Sequence, residues 1–381
     1  MKKRITAIEL FAGIGGFRIA ADENGIETIW ANDIDPTAST VYRSRFGNSI
    51  FVEGDINSCL NLIPDHDLLT GGFPCQPFSR AGKKMGIEDY RGTLFESIVK
   101  ILSTHKPNFF ILENVNSLLY LNNGRHFKTI LWALTEQGYK VEWRVFNAVH
   151  FGLPQNRERL IIVGTKDKSV ASSFFFSPRD MRENPVDTID KIPYFSLWQD
   201  VVSSKQKFLY WGMSFDGKYI TASINESASY ASPKTLSDVL QEAEEIDKSF
   251  YFNEGTIERI KESIFVNKFY NGVHILYNQG HGARMGYTIF GTDGIAPTLT
   301  ASASRHYERY AVGNSYRRLT NIEYARIQGF PDDHCSAISI YKQYKLFGNA
   351  VPPQIISYVM KKLINGVTYT ISPKQRQLFD I

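Results

Sequence analysis

Cysteine is scarce. Three residues in 381, Cys59, Cys75 and Cys335, lie far apart in the chain. They are too few and too scattered for a disulfide framework or a zinc cluster, so a reducing compartment fits and no metal site is expected. No apolar run is long enough to span a bilayer. The basic start, Met1-Lys2-Lys3-Arg4-Ile5, runs straight into a strand-like segment holding Glu9, with no signal-peptide core. A cytoplasmic protein without a membrane partner is therefore expected. Strong charge of one sign is missing too: Lys plus Arg total 43 against 39 Asp plus Glu, a net +4. That permits a nucleic-acid partner without requiring one. There is no internal repeat, no low-complexity tract and no Gly-Lys-Thr phosphate loop, which argues against a nucleoside triphosphate. What is present, 43% hydrophobic and 22% charged residues, describes a globular chain able to build one large domain and a smaller one.

The first half alternates strand-like and helix-like patterns. Ile5–Leu10 reads as a short buried strand entering Phe11-Ala12-Gly13-Ile14-Gly15-Gly16-Phe17 and then an apolar-periodic helix to about Asn24. Strand, glycine turn and helix together suit a nucleotide-type cofactor, because glycines permit close backbone approach and a helix start offers free N–H groups. The run departs from the full G-x-G-x-x-G pattern, so an ordinary tight turn fits it equally well. The next strand, Thr28–Asn32, ends in Asp33-Ile34-Asp35-Pro36. An acid about twenty residues past the glycines is placed for ribose hydroxyls, which suits Asp33, while Asp35 caps the helix begun by Pro36. Gly54-Asp55-Ile56 adds a third acidic strand end, placed to accept from an adenine amino group. Three such acids beside a glycine turn suit a nucleoside with few phosphates.

An apolar run, Asp67-Leu68-Leu69, then leads into Gly71-Gly72-Phe73-Pro74-Cys75-Gln76-Pro77-Phe78-Ser79. A cysteine at a strand end in a rigid turn is either a nucleophile or a buried structural thiol. The basic, glycine-punctuated stretch from Arg80 to Gly92 is either a loop that closes over a phosphate backbone or a solvated surface loop. A helix from about Leu94 to His105 precedes a buried strand, Phe109–Leu112, ending in Glu113-Asn114-Val115. A buried glutamate there needs a partner or stays protonated. Further on, Gln155-Asn156-Arg157-Glu158-Arg159 puts two guanidiniums on one face if extended. They suit a phosphate or a carbonyl oxygen, or else form a surface ladder with Glu158.

These elements occur together in a fixed order: Phe11–Phe17, Asn32–Asp35, Gly54–Ile56, Phe73–Gln76, Glu113–Val115 and Gln155–Arg159. Near the end follow Arg318-Leu319-Thr320, Glu323, Gln328-Gly329-Phe330-Pro331 and Phe347-Gly348-Asn349-Ala350-Val351-Pro352. In this the chain resembles the DNA (cytosine-5)-methyltransferase family over nearly its whole length, residues 185–295 excepted. Pro-Cys-Gln, Glu-Asn-Val and Gln-x-Arg-x-Arg are the specific elements. One departure is Asp33, where the family usually has Glu; a shorter acid still reaches a ribose.

The resemblance implies an α/β fold of the Rossmann-like, S-adenosylmethionine-dependent kind, a mostly parallel sheet with a second, smaller target-recognition domain. The expected division is residues 1–184 for catalysis and cofactor, 185–320 for target recognition, 321–343 as a hinge, and 344–381 returning to the first domain. Aromatic segments such as Phe208-Leu209-Tyr210-Trp211 are expected to form a small core in the second domain. The implied activity is methyl transfer from S-adenosylmethionine to carbon 5 of a flipped-out cytosine in a specific duplex DNA sequence, through a covalent Cys75 adduct. The implied catalytic set is Cys75, Glu113, Arg157 and Arg159. The cofactor would lie across Phe11, Gly13, Gly15, Asp33, Ile34, Asp55, Ile56, Pro74, Leu94 and Asn349. DNA would meet Gln76, Ser79, Arg80, Lys83, Arg91, Arg284, Thr298 and Arg305. The resemblance implies a bacterial enzyme, expected to be a monomer, and the compact size and lack of accessory domains suit a modification role beside a cognate restriction endonuclease. A tRNA cytosine-5 methyltransferase would share every catalytic motif. A nicotinamide oxidoreductase would leave Glu113, Arg157 and Arg159 without a shared purpose, and a non-catalytic DNA-binding module would have no use for Cys75 and Glu113.

Overall fold

The computed structural model describes residues 4–74, 94–166, 198–203, 207–223, 229–280, 285–301 and 308–370, with side chains to residue 364. Its larger sheet runs β3-β2-β1-β4-β5-β7-β6-β9-β10-β8. The strands are β1 (Thr6–Leu10), β2 (Glu27–Asp33), β3 (Phe51–Glu53), β4 (Leu68–Gly72), β5 (Phe109–Val115), β6 (Lys140–Asn147), β7 (Glu158–Thr165), β8 (Gln199–Asp200), β9 (Trp211–Phe215) and β10 (Lys218–Ala222). From β3 to β5 every pairing is parallel, and from β5 to β8 every pairing is antiparallel. The chain thus builds outward from β1 in one direction through β2 and β3, and in the other through β4 and β5. That reversal leaves a crevice beyond the carboxyl end of β1, where open α/β sheets take their ligands.

Alternation along the strands divides the core. Ile8, Leu10, Phe110 and Leu112 pack on one face with helices α4 (Leu94–His105) and α5 (Arg125–Glu136). Ala7, Leu68, Phe109 and Ile111 pack on the other face. There they meet α1 (Gly16–Glu23) and the last helix, α9 (Pro353–Thr370), which lies against α1. Helix α2 (Pro36–Phe46) begins at a proline after Asp35, whose carboxylate accepts from Thr37 N, so Asp35 caps the helix as its sequence suggests. A short α3 (Ile56–Cys59) follows β3.

The smaller sheet has the order β11-β12-β13-β14-β15: Ile264–Tyr270, Val273–Asn278, Thr288–Phe290, Arg309–Val312 and Ser315–Arg317. Helix α6 (Glu254–Lys261) precedes it, and α7 (Asn321–Gln328) and α8 (Ile340–Asn349) follow it. A third core joins it to the larger lobe, with Val273, Phe290 and Tyr310 in one cluster with Ile14, Val41 and Phe347. Strands β8–β10 fall within the stretch expected to be the second domain, yet they extend the larger sheet, β9 pairing with β6. Phe208 accordingly packs edge-on against Phe127 and Trp143 of the first core rather than in a core of its own. An antiparallel neighbour needs no crossover helix, so the alternation that marks the first half vanishes while the sheet continues. Among the described residues no helix is long and apolar enough to cross a membrane.

One polar side chain lies inside β1. Glu9, 1% exposed, accepts from the Tyr42 hydroxyl at 2.9 Å and from Arg18 N at 3.3 Å. Burial outweighs these bonds and pushes its carboxyl up to about 8. The fold therefore favours protonated Glu9, a stabilisation complete below the ordinary carboxylate value and lost as pH climbs through about 8. Glu9→Gln is expected to flatten the decline of folding stability over this window in urea titrations. A profile as steep as the wild type's would show that Glu9 does not carry the dependence.

Candidate active site

A cavity of about 440 Å³ opens at the carboxyl ends of β1, β2, β4 and β5. Its floor is the turn after β1. Phe11 takes a left-handed conformation (φ 53°) and so does Gly13 (φ 55°); for a non-glycine residue such a backbone is a strain that persists only where the surroundings enforce it. The enforcement is visible in the bonds. Ala12 N donates to Asn32 O at 2.9 Å, and Gly13 N donates to Asp33 Oδ2 at 2.7 Å. Asp33 Oδ1 accepts from Asp35 N at 2.8 Å. The acid read as a ribose ligand therefore braces the turn with Oδ2 and its own segment before α2 with Oδ1, and each oxygen keeps a further lone pair for a ligand hydroxyl. Burial raises its carboxyl above the ordinary range, opposed by these two N–H bonds.

Asp55 likewise lines the cavity while its Oδ1 caps α3 by accepting from Asn57 N at 2.8 Å. Phe11, Ile34, Ile56, Pro74, Leu94 and Asn349 all face the same space. Ile34 stands 65% exposed there, an apolar side chain held in the open at the mouth of a cleft. Gly15 is the exception among the expected cofactor residues. It points at Phe46, whose ring would lie 2.3 Å from an added Cβ, and it does not line the cavity. Its glycine serves the close packing of α1 on α2 and the left-handed entry to α1 (φ 83°).

At the far wall Glu113, at the end of β5, meets Arg159 at the start of β7: Oε1 and Nε are 2.8 Å apart. Gly72, paired with Glu113 across β4 and β5, makes room for it, since a Cβ there would lie 2.9 Å from Glu113 Oε2. Burial raises the Glu113 carboxyl above its ordinary value, with Arg159 and then Arg157 pulling the other way. Asn114, absent from the expected set, donates its Nδ2 to Phe73 O at 2.8 Å. It thereby ties the segment entering Pro74 to the same strand end. The two arginines part company. Arg159 lines the cavity, whereas Arg157 is fully buried outside it, donating to Leu299 O, Gly348 O and Ala350 O at 2.8–2.9 Å. Thr298, expected on the DNA side, is half-buried and donates its hydroxyl to Asn156 O. Cys75, Gln76, Ser79, Arg80, Lys83, Arg91, Arg284 and Arg305 lie outside the described residues.

The cavity therefore sets a strained, acid-braced turn beside a buried carboxyl–guanidinium pair. The first part suits a nucleoside-bearing ligand, and the second suits a polar ring that must be protonated at one edge and held at another. The sequence pattern of the C-5 cytosine-specific DNA methylase family matches residues 5–365. The type II methyltransferase M1.ScrFI of Lactococcus lactis subsp. cremoris is 34% identical over 364 residues, 94% of this chain and 77% of that protein. The type II methyltransferase M.DsaV of Dactylococcopsis salina is 30% identical over 381 residues, covering 100% and 92%. Among solved structures, the S. pombe Dnmt2 methyltransferase superposes with a TM-score of 0.60 at 18% identity, over 96% of this chain and 99% of that one. At that identity the likeness concerns the fold.

Removing Arg159 would leave Glu113 buried without its ion-pair partner, so its carboxyl would be held neutral to still higher pH. Arg159→Ala is expected to cost more stability at pH 9 than at pH 5, up to about 3 kcal/mol where Glu113 is ionised and unpaired, because only the ionised carboxyl needs a counter-charge. Urea unfolding at both pH values checks this, and an equal loss at the two would contradict it.

Proposed function

The chain belongs to the C-5 cytosine-specific DNA methylase family and is a DNA cytosine-5 methyltransferase; from that premise we propose its substrate, cofactor and working residues. The substrate is a cytosine swung out of one short sequence in duplex DNA, because carbon 6 is unreachable within the stack. The biological role is modification alongside a type II restriction endonuclease, as the names of its relatives suggest, by a monomer in the bacterial cytoplasm. The observation that carries the reading is the Glu113–Arg159 pair at the cavity wall, one strand from the segment that leads into Cys75.

The cavity fits S-adenosylmethionine: the Asp33-braced turn, Asp55 and the exposed Ile34 offer acids for sugar and base and an apolar surface for the ring. That cofactor supplies an electrophilic methyl group. Carbon 5 of cytosine is a poor nucleophile, and the protein's residues change that. The Cys75 thiolate forms a bond to carbon 6, and the ring electrons move to nitrogen 3, where Glu113 holds a proton. Burial, which raises the Glu113 carboxyl above its ordinary value, favours its keeping that proton. Arg159 orients Glu113 and is placed to hold the base's carbonyl oxygen. Carbon 5, now enamine-like, is thereby made the nucleophile for the methyl group that bound S-adenosylmethionine would supply, its sulfur keeping the pair of the broken C–S bond. Loss of the carbon 5 proton, departure of Cys75 with the C–S bonding pair and return of the nitrogen 3 proton to Glu113 restore the neutral aromatic ring. Arg157, by its place in the structure, serves this site from outside.

Cys75→Ala is expected to abolish methyl transfer while calorimetry still registers S-adenosylhomocysteine. Glu113→Gln is expected to lower kcat by about 10²–10⁴-fold. In the wild type, rate falls on the alkaline side as Glu113 loses its proton. Bisulfite sequencing of plasmid DNA from expressing cells is expected to show protection at one short motif. Methylated tRNA with unmodified plasmid would favour the tRNA reading instead.

A further inference from the structure

We propose that Arg157 is a positioning residue that fixes the cofactor-side segment Gly348–Ala350 against the Thr298–Thr300 segment, and that it does not meet the target base. The proposal rests on the cofactor reading above. Arg157 has no exposed surface, and its guanidinium has three carbonyl partners. Nη2 reaches Gly348 O at 2.9 Å and Ala350 O at 2.8 Å, the oxygens on either side of Asn349. Nη1 reaches Leu299 O at 2.8 Å, on the opposite segment.

Gly348 lies in the last turn of α8 and Ala350 is its C-cap. Carbonyls at a helix C-terminus lack intrahelical donors and sit at the negative end of the helix dipole. They are where a buried guanidinium without a carboxylate is best stabilised. A planar fork with several donors can hold both segments at once, whereas an ammonium on a flexible stem concentrates its donors at a single nitrogen.

Three more contacts close the seam. Leu299 N donates to Gln155 Oε1 at 2.9 Å. Gln155 Nε2 donates to Gln328 Oε1 at 3.2 Å, and Gln328 Nε2 in turn donates to Phe347 O. Gly348 approaches so closely that a Cβ would lie 2.3 Å from the Thr300 carbonyl carbon and oxygen. Backbone therefore lies directly on backbone, with Arg157 holding the two together. Gly348, Asn349, Ala350 and Val351 are cavity wall. Two residues further along, Arg159 faces Glu113 instead. The motif thus divides its labour: Arg159 belongs to the base, and Arg157 belongs to the cofactor wall.

Two assays on the full chain separate these halves. Cofactor-side integrity is read as the calorimetric Kd of S-adenosylhomocysteine without DNA. Base activation is read as tritium release from plasmid DNA labelled at cytosine carbon 5, without cofactor. In Arg157→Lys, Kd is expected to rise on the order of tenfold or more, while tritium release stays within about twofold of wild type. Gly348→Ala, which pries the same seam from the other side, is expected to give the same split. Glu113→Gln is expected to give the reverse, with release lost and Kd retained. Loss of release with unchanged Kd in Arg157→Lys would overturn the proposal, because Arg157 would then act on the base. So would unchanged values in both assays, or parallel losses in both that follow the unfolded fraction seen by circular dichroism. A wild-type protein that neither binds S-adenosylhomocysteine nor releases tritium would instead sink the functional reading itself.

Discussion

A carboxyl and a guanidinium buried side by side at the ends of two strands constrain what surrounds them. Taking Glu113 and Arg159 out of water is costly, and their mutual attraction offsets that cost only if geometry is held closely. The sheet supplies the geometry. Glu113 sits opposite Gly72 in the parallel half, and Val115 sits opposite Arg159 in the antiparallel half, so the pair forms where the sheet changes sense. Gly72 leaves the volume, and Asn114 fastens Phe73 to the same strand end. The segment entering Pro74 is thereby registered against the strand end that carries Glu113.

A second constraint is the reversal of strand order at β1. It opens the crevice, and the turn after β1 shapes its floor at the expense of left-handed backbone at Phe11. Strain of this kind survives only where several bonds act together. Here Asp33 performs two tasks, bracing the turn and presenting an acid to the cavity. Glu9 in β1 ties α1 to α2, accepting from Arg18 N of the one and from the Tyr42 hydroxyl of the other.

The far end of the chain completes what the near end begins. Helix α9 lies on α1, and the segment from Gly348 to Val351 forms a wall of the cavity. That wall is carried by α8, two of whose carbonyls at and just past its C-terminal end take their hydrogen bonds from Arg157. The smaller lobe is joined through the same seam by Leu299 and Thr300. The two lobes are thus joined by a common set of buried polar contacts.

The sequence by itself determined the chemistry and the class of fold. Glycines at a strand end, acids at successive strand ends and a Glu-Asn-Val after an apolar run are local patterns, legible because strand and helix periods are local. Family resemblance then assigned them a reaction. What only the tertiary structure decided is which groups meet. Arg157 and Arg159 share a face in an extended strand and looked equivalent, yet their partners differ. One meets the neighbouring strand, and the other meets carbonyls 142 and 191 residues further along the chain. Gly15 looked like a cofactor glycine but faces the Phe46 ring, because what an added Cβ would meet depends on how α2 packs against the turn. Strands β8–β10 looked like part of a second domain because antiparallel addition leaves no helix-and-strand alternation to read. Long-range pairing of buried polar groups has no sequence period, and so it becomes visible only when the segments are brought together.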